Sequence, residues 1–89
     1  MSYRRRDGVA TQLIDGAAAL FDPAAGELIT LNGTGSVLWG LLEAPASRDG
    51  MVAALAERHP DVETGQLGAD VDTFIAELHG RGLIVDAGG

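Results

Sequence analysis

Two histidines, thirteen carboxylates and one glycine-rich corner are the parts of this sequence whose residue types could do chemistry. A metal site or a catalytic base built on His59 or His79 would need a second or third partner at suitable spacing. Each histidine lies near the end of an expected helix, where the helix dipole favours a cation. We therefore interpret both histidines as structural.

The carboxylates could form a general acid–base pair only if two of them converged in a buried site. Asp70 and Asp72 are two positions apart on an expected helix, so their side chains point in different directions. Glu57, Asp61 and Glu63 surround an expected exposed turn. This pattern favours a solvated acidic surface, and we expect no catalytic residue, no metal site, no cofactor and no enzymatic activity.

The glycine-rich corner, residues 33–36 (GTGS), superficially resembles a phosphate-binding loop, because the start of a helix attracts anions. A P-loop needs a wider spacing and a lysine, however, and the chain contains no lysine. The dinucleotide-binding fingerprint is absent as well. A helix cap at Asn32 followed by a sharp corner explains these residues better.

Composition narrows the class of protein further. The 89 residues suffice for one small domain, and the net charge of −7 leaves only one basic cluster, at residues 4–6. Nucleic-acid-binding proteins concentrate positive charge on one face, so we expect no nucleic-acid partner. No apolar run approaches the roughly 20 residues of a membrane span. The absence of cysteine suits a reducing compartment, and we expect a cytoplasmic protein without membrane association.

The elements that must position these residues fall into two groups. Short apolar runs between turn signals predict three antiparallel strands over residues 9–14, 17–21 and 28–31. Helical spacing predicts three helices, over residues 34–43, from the cap Ser47 to about His59, and from about 63 to 80. The fold class is therefore α+β, a three-stranded antiparallel sheet followed by three helices, similar to a winged helix-turn-helix. We expect a flexible arm over residues 1–7 and a flexible tail over residues 86–89.

The third strand would lie at one side of the sheet if the strands pair in chain order. An edge strand exposes unpaired N–H and C=O groups, which a protein either protects or uses to add a peptide strand from a partner. The third helix could supply an apolar wall beside this edge. From the residues alone, cover by the chain's own tail remains an equal alternative.

Two blocks of the sequence resemble a known family. Residues 31–42 (LNGTGSVLWGLL) are similar to the LN-x-TG-x-x-(I/L)W-x-LL core of the PqqD-like proteins. Residues 70–84 (DVDTFIAELHGRGLI) resemble the second block of that family, DV-x-x-F(L/I)-x-x-L-x-x-x-GL(I/V). Both blocks occur in order and in register, and the resemblance extends over roughly residues 9–85.

The resemblance implies that residues 8–85 form a recognition element for ribosomally synthesised and post-translationally modified peptides (RiPPs). In that family, the leader segment of a precursor peptide adds as a strand to the third strand, in a cleft walled by the third helix. The implied peptide-binding residues are Glu27, Leu28, Ile29, Thr30 and Leu31 on the strand and Asp70, Val71, Phe74, Ile75 and Leu78 on the helix. The resemblance leaves open which helix residues face the cleft, with Leu67 and Leu78 as the expected core members. The motif residues Asn32, Thr34, Gly35 and Trp39 are interpreted as structural.

The implied partners are the leader peptide and a modifying enzyme. The leader peptidase and cyclase of lasso-peptide biosynthesis are favoured, because the Ala-, Gly- and Arg-rich composition suggests a high-GC bacterial gene. One alternative is a PqqD-type chaperone for a radical enzyme in pyrroloquinoline quinone synthesis. Another is a winged-helix DNA-binding regulator, against which the acidic third helix argues.

Overall fold

The computed structural model describes residues 1–88, which form six strands and three helices. In chain order these are β1 (Ser2–Arg5), β2 (Ala10–Ile14), β3 (Ala17–Asp22), β4 (Glu27–Thr30), α1 (Gly33–Leu41), β5 (Ala46–Ser47), α2 (Arg48–Arg58), α3 (Thr64–Gly80) and β6 (Ile84–Asp86). The predicted α+β class is confirmed. The likeness to a winged helix-turn-helix stays a prediction. No helix within residues 1–88 is long and apolar enough to cross a membrane.

The first sheet is the predicted antiparallel meander, in the order β2-β3-β4. The turn between β2 and β3 has positive φ at both central residues, 53° at Asp15 and 82° at Gly16. This backbone twist matches that of the flanking strands, which is why an Asp-Gly dipeptide closes a hairpin so readily. The observed strand ends differ from the predicted ones by one residue at most.

A second sheet, in the order β5-β1-β6, was not expected. The prediction of a flexible arm over residues 1–7 is wrong for Ser2–Arg5, which pair antiparallel with both β5 and β6. Arg5 packs over the ring of Trp39, with its Cζ atom 4.6 Å from the ring centroid, and donates two hydrogen bonds to the Trp39 carbonyl. Backbone pairing and a cation–π contact hold this segment in place. Its sequence has no apolar periodicity, so the strand could not be predicted from the pattern.

The predicted tail is also partly ordered. Asp86 is the last residue of β6, and the N–H of Ala87 donates to the Ser2 carbonyl at 2.9 Å. The short C-terminal strand therefore completes the second sheet beside β1. Gly89, the last residue of the predicted tail, lies outside the described residues.

Helix α1 lies at the centre of the domain, because a helix that is apolar over a wide arc must bury most of its surface. Leu38, Trp39 and Leu42 are almost completely buried, and the Trp39 indole N–H donates to Thr11 Oγ1 at 2.8 Å. Around them pack Ala18 and Leu20 of β3 and buried residues of the other two helices. These residues are Met51, Leu55, Leu67, Val71, Phe74 and Leu78. Helix α3 thus buries one face in this core and has another face directed towards β4.

Candidate functional site

The outer edge of β4 is open, because no strand within residues 1–88 pairs with it. Just beyond β4, the N–H of Leu31 donates to the Ala18 carbonyl at 2.8 Å. Alternate residues of an antiparallel strand bond to the same neighbour, so Ile29 and Glu27 bond to β3 in the observed register. The N–H and C=O groups of Leu28 and Thr30 therefore point away from the sheet.

A groove of about 380 Å³ adjoins the Thr30 end of this edge. It lies between the end of β4, the start of α1 and residues 70–78 of α3. Its lining residues are Thr30, Leu31, Asn32, Thr34, Gly35, Asp70, Thr73, Phe74, Glu77 and Leu78.

The groove has an apolar floor and a polar wall. Leu31, Phe74 and Leu78 form the floor and belong to the hydrophobic core, so their positions are fixed by packing. Asp70, Thr73 and Glu77 form the wall at successive helical turns of α3. A peptide in this groove would bury apolar side chains against the floor and meet carboxylates and a hydroxyl on the helix.

An arginine next to the groove contacts Glu77 of its polar wall. Arg81, at the end of α3, places its Nη1 atom 3.5 Å from Glu27 Oε2 of β4. Its Nε atom lies 3.8 Å from Glu77 Oε1 of the preceding helical turn. Because all three side chains are about half exposed, this ion-pair network is weak and can rearrange at little cost.

The corner between β4 and α1 forms another part of the groove lining. Asn32 caps the helix, with its Oδ1 atom accepting a hydrogen bond from the Gly35 N–H at 2.7 Å. A Cβ atom on Gly35 would lie only 3.1 Å from that same oxygen, so a larger residue would push the cap aside. The cap predicted from the sequence is thus confirmed, and it also shapes the groove.

The comparisons with known proteins bear on this arrangement. Residues 17–84, most of the chain including β4, α1 and α3, match the family model described as coenzyme PQQ synthesis protein D (PqqD). The chain belongs to the PqqD family. The resemblance carried by residues 31–42 and 70–84 is thereby confirmed. Comparison with curated protein sequences gives no significant match.

Three solved structures share the fold of this PqqD family member. TbiB1 in complex with the TbiA(beta) leader peptide is 23% identical, with a TM-score of 0.85, and the alignment covers 97% of this chain and 99% of that one. A lasso peptide synthetase B1 complexed with its leader peptide is 23% identical, with a TM-score of 0.79 and coverage of 93% and 96%. The PqqD truncation of Methylobacterium extorquens PqqCD, described as a stand-alone RiPP recognition element, is 15% identical, with a TM-score of 0.76 and coverage of 94% and 88%.

The structure brings together half of the predicted peptide-binding residues. Those that line the groove are Thr30, Leu31, Asp70, Phe74 and Leu78. Leu78 was expected in the core, and it is both buried there and part of the groove floor.

The other predicted residues lie around the groove or turn away from it. Glu27 is not part of the groove lining and contacts Arg81. Val71 is completely buried, and Ile75 and Ile29 are partly buried against the core. Leu28 is 68% exposed on the sheet face opposite the core.

Sequence reasoning missed Thr73 and Glu77 as groove residues. Both follow from the helical period, because they lie three and seven positions after Asp70, on the same face of α3. Asn32, Thr34 and Gly35 were interpreted as structural only, yet they also line the groove. That second role depends on where the corner sits relative to α3, which local sequence does not encode.

The remaining candidates for chemistry are dispersed. Within residues 1–88, no three His, Asp or Glu side chains approach one another closely enough to hold a metal ion. His79 contacts Asp86 at 3.3 Å and packs edge-on against the ring of Tyr3. It thus links the end of α3 to the second sheet.

Proposed function

We propose that this protein binds the leader segment of a RiPP precursor peptide as an added strand on β4, in the groove beside α3, and delivers it to modifying enzymes. The observation that carries this proposal is the combination of an open strand edge and an adjacent groove with an apolar floor. Two of the proteins with the same fold are complexes with leader peptides, which supports the same ligand class.

Backbone hydrogen bonds would make the first contribution to leader binding. Leu28 and Thr30 each offer one N–H and one C=O group at the open edge, and such bonds tolerate many sequences. Selectivity would come from side chains that reach Phe74 and Leu31 on the groove floor. A free leader is disordered, so part of the contact energy offsets the cost of ordering it. Affinities between micromolar and nanomolar, about −8 to −12 kcal/mol, would suffice.

The proposed role assigns no reaction to the chain itself. Binding would raise the effective concentration of the precursor near an enzyme that modifies it. We favour the leader peptidase and cyclase of lasso-peptide biosynthesis, because the two neighbours with the higher TM-scores are a lasso peptide synthetase B1 and TbiB1, each with a leader peptide bound. A radical enzyme of pyrroloquinoline quinone synthesis is the alternative, on the strength of the family model. The cytoplasmic location stays a prediction.

A DNA-binding role is less compatible with the charge distribution. The helix that would enter a groove of DNA carries Asp70, Asp72 and Glu77, which phosphates would repel. In the basic cluster, Arg5 is engaged with Trp39, and Arg6 is paired with the buried Asp22. Two of the three guanidinium groups of this cluster are therefore already engaged within the protein and are less available to bind phosphates.

The test uses the leader segments encoded by the short open reading frames beside the gene, each labelled and titrated with this protein in a fluorescence-polarisation assay. A DNA duplex is titrated in parallel. We expect saturable binding of one leader at micromolar concentration or below and none of the duplex. Binding of the duplex alone would favour the regulator instead.

Amide hydrogen exchange then tests strand addition itself. Bound leader should slow the exchange of the Leu28 and Thr30 amides, which point to the open edge. The Ile29 amide, which already bonds to β3, should change much less and is the internal control. Saturable binding with unchanged exchange at Leu28 and Thr30 would place the leader elsewhere on the protein.

A further inference from the structure

A row of apolar side chains crosses the face of the first sheet that is turned away from the core. Ala10 of β2 pairs with Phe21 of β3, and Phe21 pairs with Leu28 of β4. The next pair along, Leu20 and Ile29, faces the core, so Phe21 and Leu28 lie on the opposite face. Phe21 is 42% exposed and Leu28 is 68% exposed.

This row ends at the open edge of β4. The backbone groups of Leu28 point out of the sheet at that edge, so a strand added there would place one residue directly beside Leu28. Laterally neighbouring residues of a sheet project their side chains from the same face. The side chain beside Leu28 would therefore lie on the outer face and extend the row, rather than enter the groove.

The neighbouring row has a different character. Gln12, Ala19 and Thr30 pair across the three strands and end at Thr30, two residues beyond Leu28. A strand added at the edge would therefore place one residue beside the apolar side chain of Leu28. The residue two positions away in the added strand would lie beside the hydroxyl group of Thr30. The intervening residue would project towards the groove.

We infer that Leu28, backed by Phe21, is a second specificity subsite that receives an apolar side chain of the leader on the outer face of the sheet. This inference rests on the proposed strand addition and extends it. The fitting ligand is a leader segment with a large aliphatic or aromatic residue beside Leu28 and a polar or small residue two positions away, beside Thr30. Leader side chains would thus be recognised on both faces of the sheet, by Phe74 in the groove and by Leu28 on the outer face.

The position of Leu28 singles it out from the other exposed apolar residues. Leu13 is 71% exposed and Ile14 is 53% exposed, but both lie on β2, two strands away from the open edge. An added strand cannot cover them laterally. Because Leu28 lies on the open edge strand where the leader would add, we assign the leader, rather than another protein, as the occupant at Leu28.

The test compares Leu28→Thr with Leu13→Thr. Threonine keeps strand propensity while it removes apolar surface, and both positions are exposed, so both variants should fold. Cross-strand side-chain pairs have modest energies, so we expect Leu28→Thr to weaken leader binding about three- to fivefold and Leu13→Thr to leave it unchanged. Leu28→Ile should restore wild-type affinity.

A serine scan of the leader identifies the matching position. One apolar leader residue should show coupling to Leu28, so that its replacement weakens binding to the wild-type protein but causes little further loss in Leu28→Thr. A uniform loss across the scan, with no coupled position, would overturn the inference. A leader affinity of Leu28→Thr equal to wild type would also overturn it.

Two further outcomes separate this inference from the proposed function. If groove variants such as Phe74→Leu weaken leader binding while Leu28→Thr does not, the proposed function stands and only the outer subsite is wrong. If no adjacent leader binds the wild-type protein, both fail. A leader-free dimer that Leu28→Thr converts to a monomer in light scattering would identify a second copy as the occupant and overturn the inference.

Discussion

The N–H of Ala18 donates a hydrogen bond to Ser36 Oγ at 2.8 Å, instead of continuing the ladder between β3 and β4. Ala18 is buried in the core, and Ser36 lies in the first turns of α1. Ser36 Oγ also lies 3.4 Å from the Leu31 carbonyl. One hydroxyl group thus ties the helix to both strands at the point where the chain leaves the sheet, and it fixes the end of β4 that borders the groove.

Ser36→Ala should lower the free energy of unfolding by about 1–3 kcal/mol, because it leaves a buried N–H without a partner. Urea denaturation followed by circular dichroism measures the change. Thr34→Ala is the control, since this nearby hydroxyl forms no hydrogen bond within the described residues. Equal stability of the two variants would mean that water satisfies the Ala18 amide.

The pair between Arg6 and Asp22 should also stabilise the fold. Asp22 is 4% exposed and accepts hydrogen bonds from Arg6 and from the Ala24 N–H. Loss of one partner of a fully buried pair costs about 3–5 kcal/mol, but the Arg6 side chain is 32% exposed. We therefore expect Asp22→Asn to cost about 2 kcal/mol.

Asp22→Asn should affect both the first sheet, which contains Asp22, and β1, because Arg6 directly follows β1. Faster amide exchange in Ser2–Arg5 should accompany the loss of stability. Asp7→Asn is the control, because Asp7 is fully exposed and its contact with Arg4 is 3.7 Å long. If Asp22→Asn and Asp7→Asn have the same small effect, the buried pair does not hold β1.

Local patterns predicted most of the fold, and the exceptions have physical causes. The Asp15-Gly16 turn, the Asn32 cap and the apolar stripe of α3 each act through neighbours in sequence, so they could be recognised. Strand β1 depends on partners more than forty residues away, and two of its four residues are arginines. No local pattern could reveal such a strand.

The candidate site could be predicted only in part for a related reason. Periodicity places Phe74 and Val71 on a common apolar stripe, but Phe74 lines the groove, whereas Val71 faces the core. The difference depends on which side of α3 faces the core and which side faces the groove, and this is a tertiary property. The assignment of individual leader-binding residues therefore stays a prediction, now sharpened by geometry.

The contact between Arg48 and Asp72 predicts a titration behaviour. Arg48 donates two hydrogen bonds to the Asp72 carboxylate, at 2.6 and 3.0 Å, and these lower the pKa of Asp72 below its ordinary value. A depressed pKa in the folded state stabilises the fold above the unfolded-state pKa, and this contribution is lost as the pH falls through the folded-state pKa. Because both groups are exposed, the effect on stability should be small.

Carbon-detected NMR titration of the Asp72 carboxyl group measures this effect directly. In Arg48→Gln, the pKa of Asp72 should rise towards its ordinary value. The stability difference between the variant and the wild type should vanish in acid, where Asp72 is protonated in both. An unchanged pKa of Asp72 in Arg48→Gln would show that the contact does not persist in solution.

Phe74 and Val71 provide a matched pair for the groove. Both are buried on α3, so Phe74→Ala should cost about 3–5 kcal/mol and Val71→Ala about 2 kcal/mol of stability. Only Phe74 lines the groove, so only its replacement should also weaken leader binding, by about tenfold or about 1.4 kcal/mol. Fluorescence polarisation measures affinity, and circular dichroism confirms that each variant is folded. If Phe74→Ala unfolds, Phe74→Leu replaces it in the binding assay. Equal leader affinity for the folded Phe74 and Val71 variants would exclude the groove floor as the leader's contact surface.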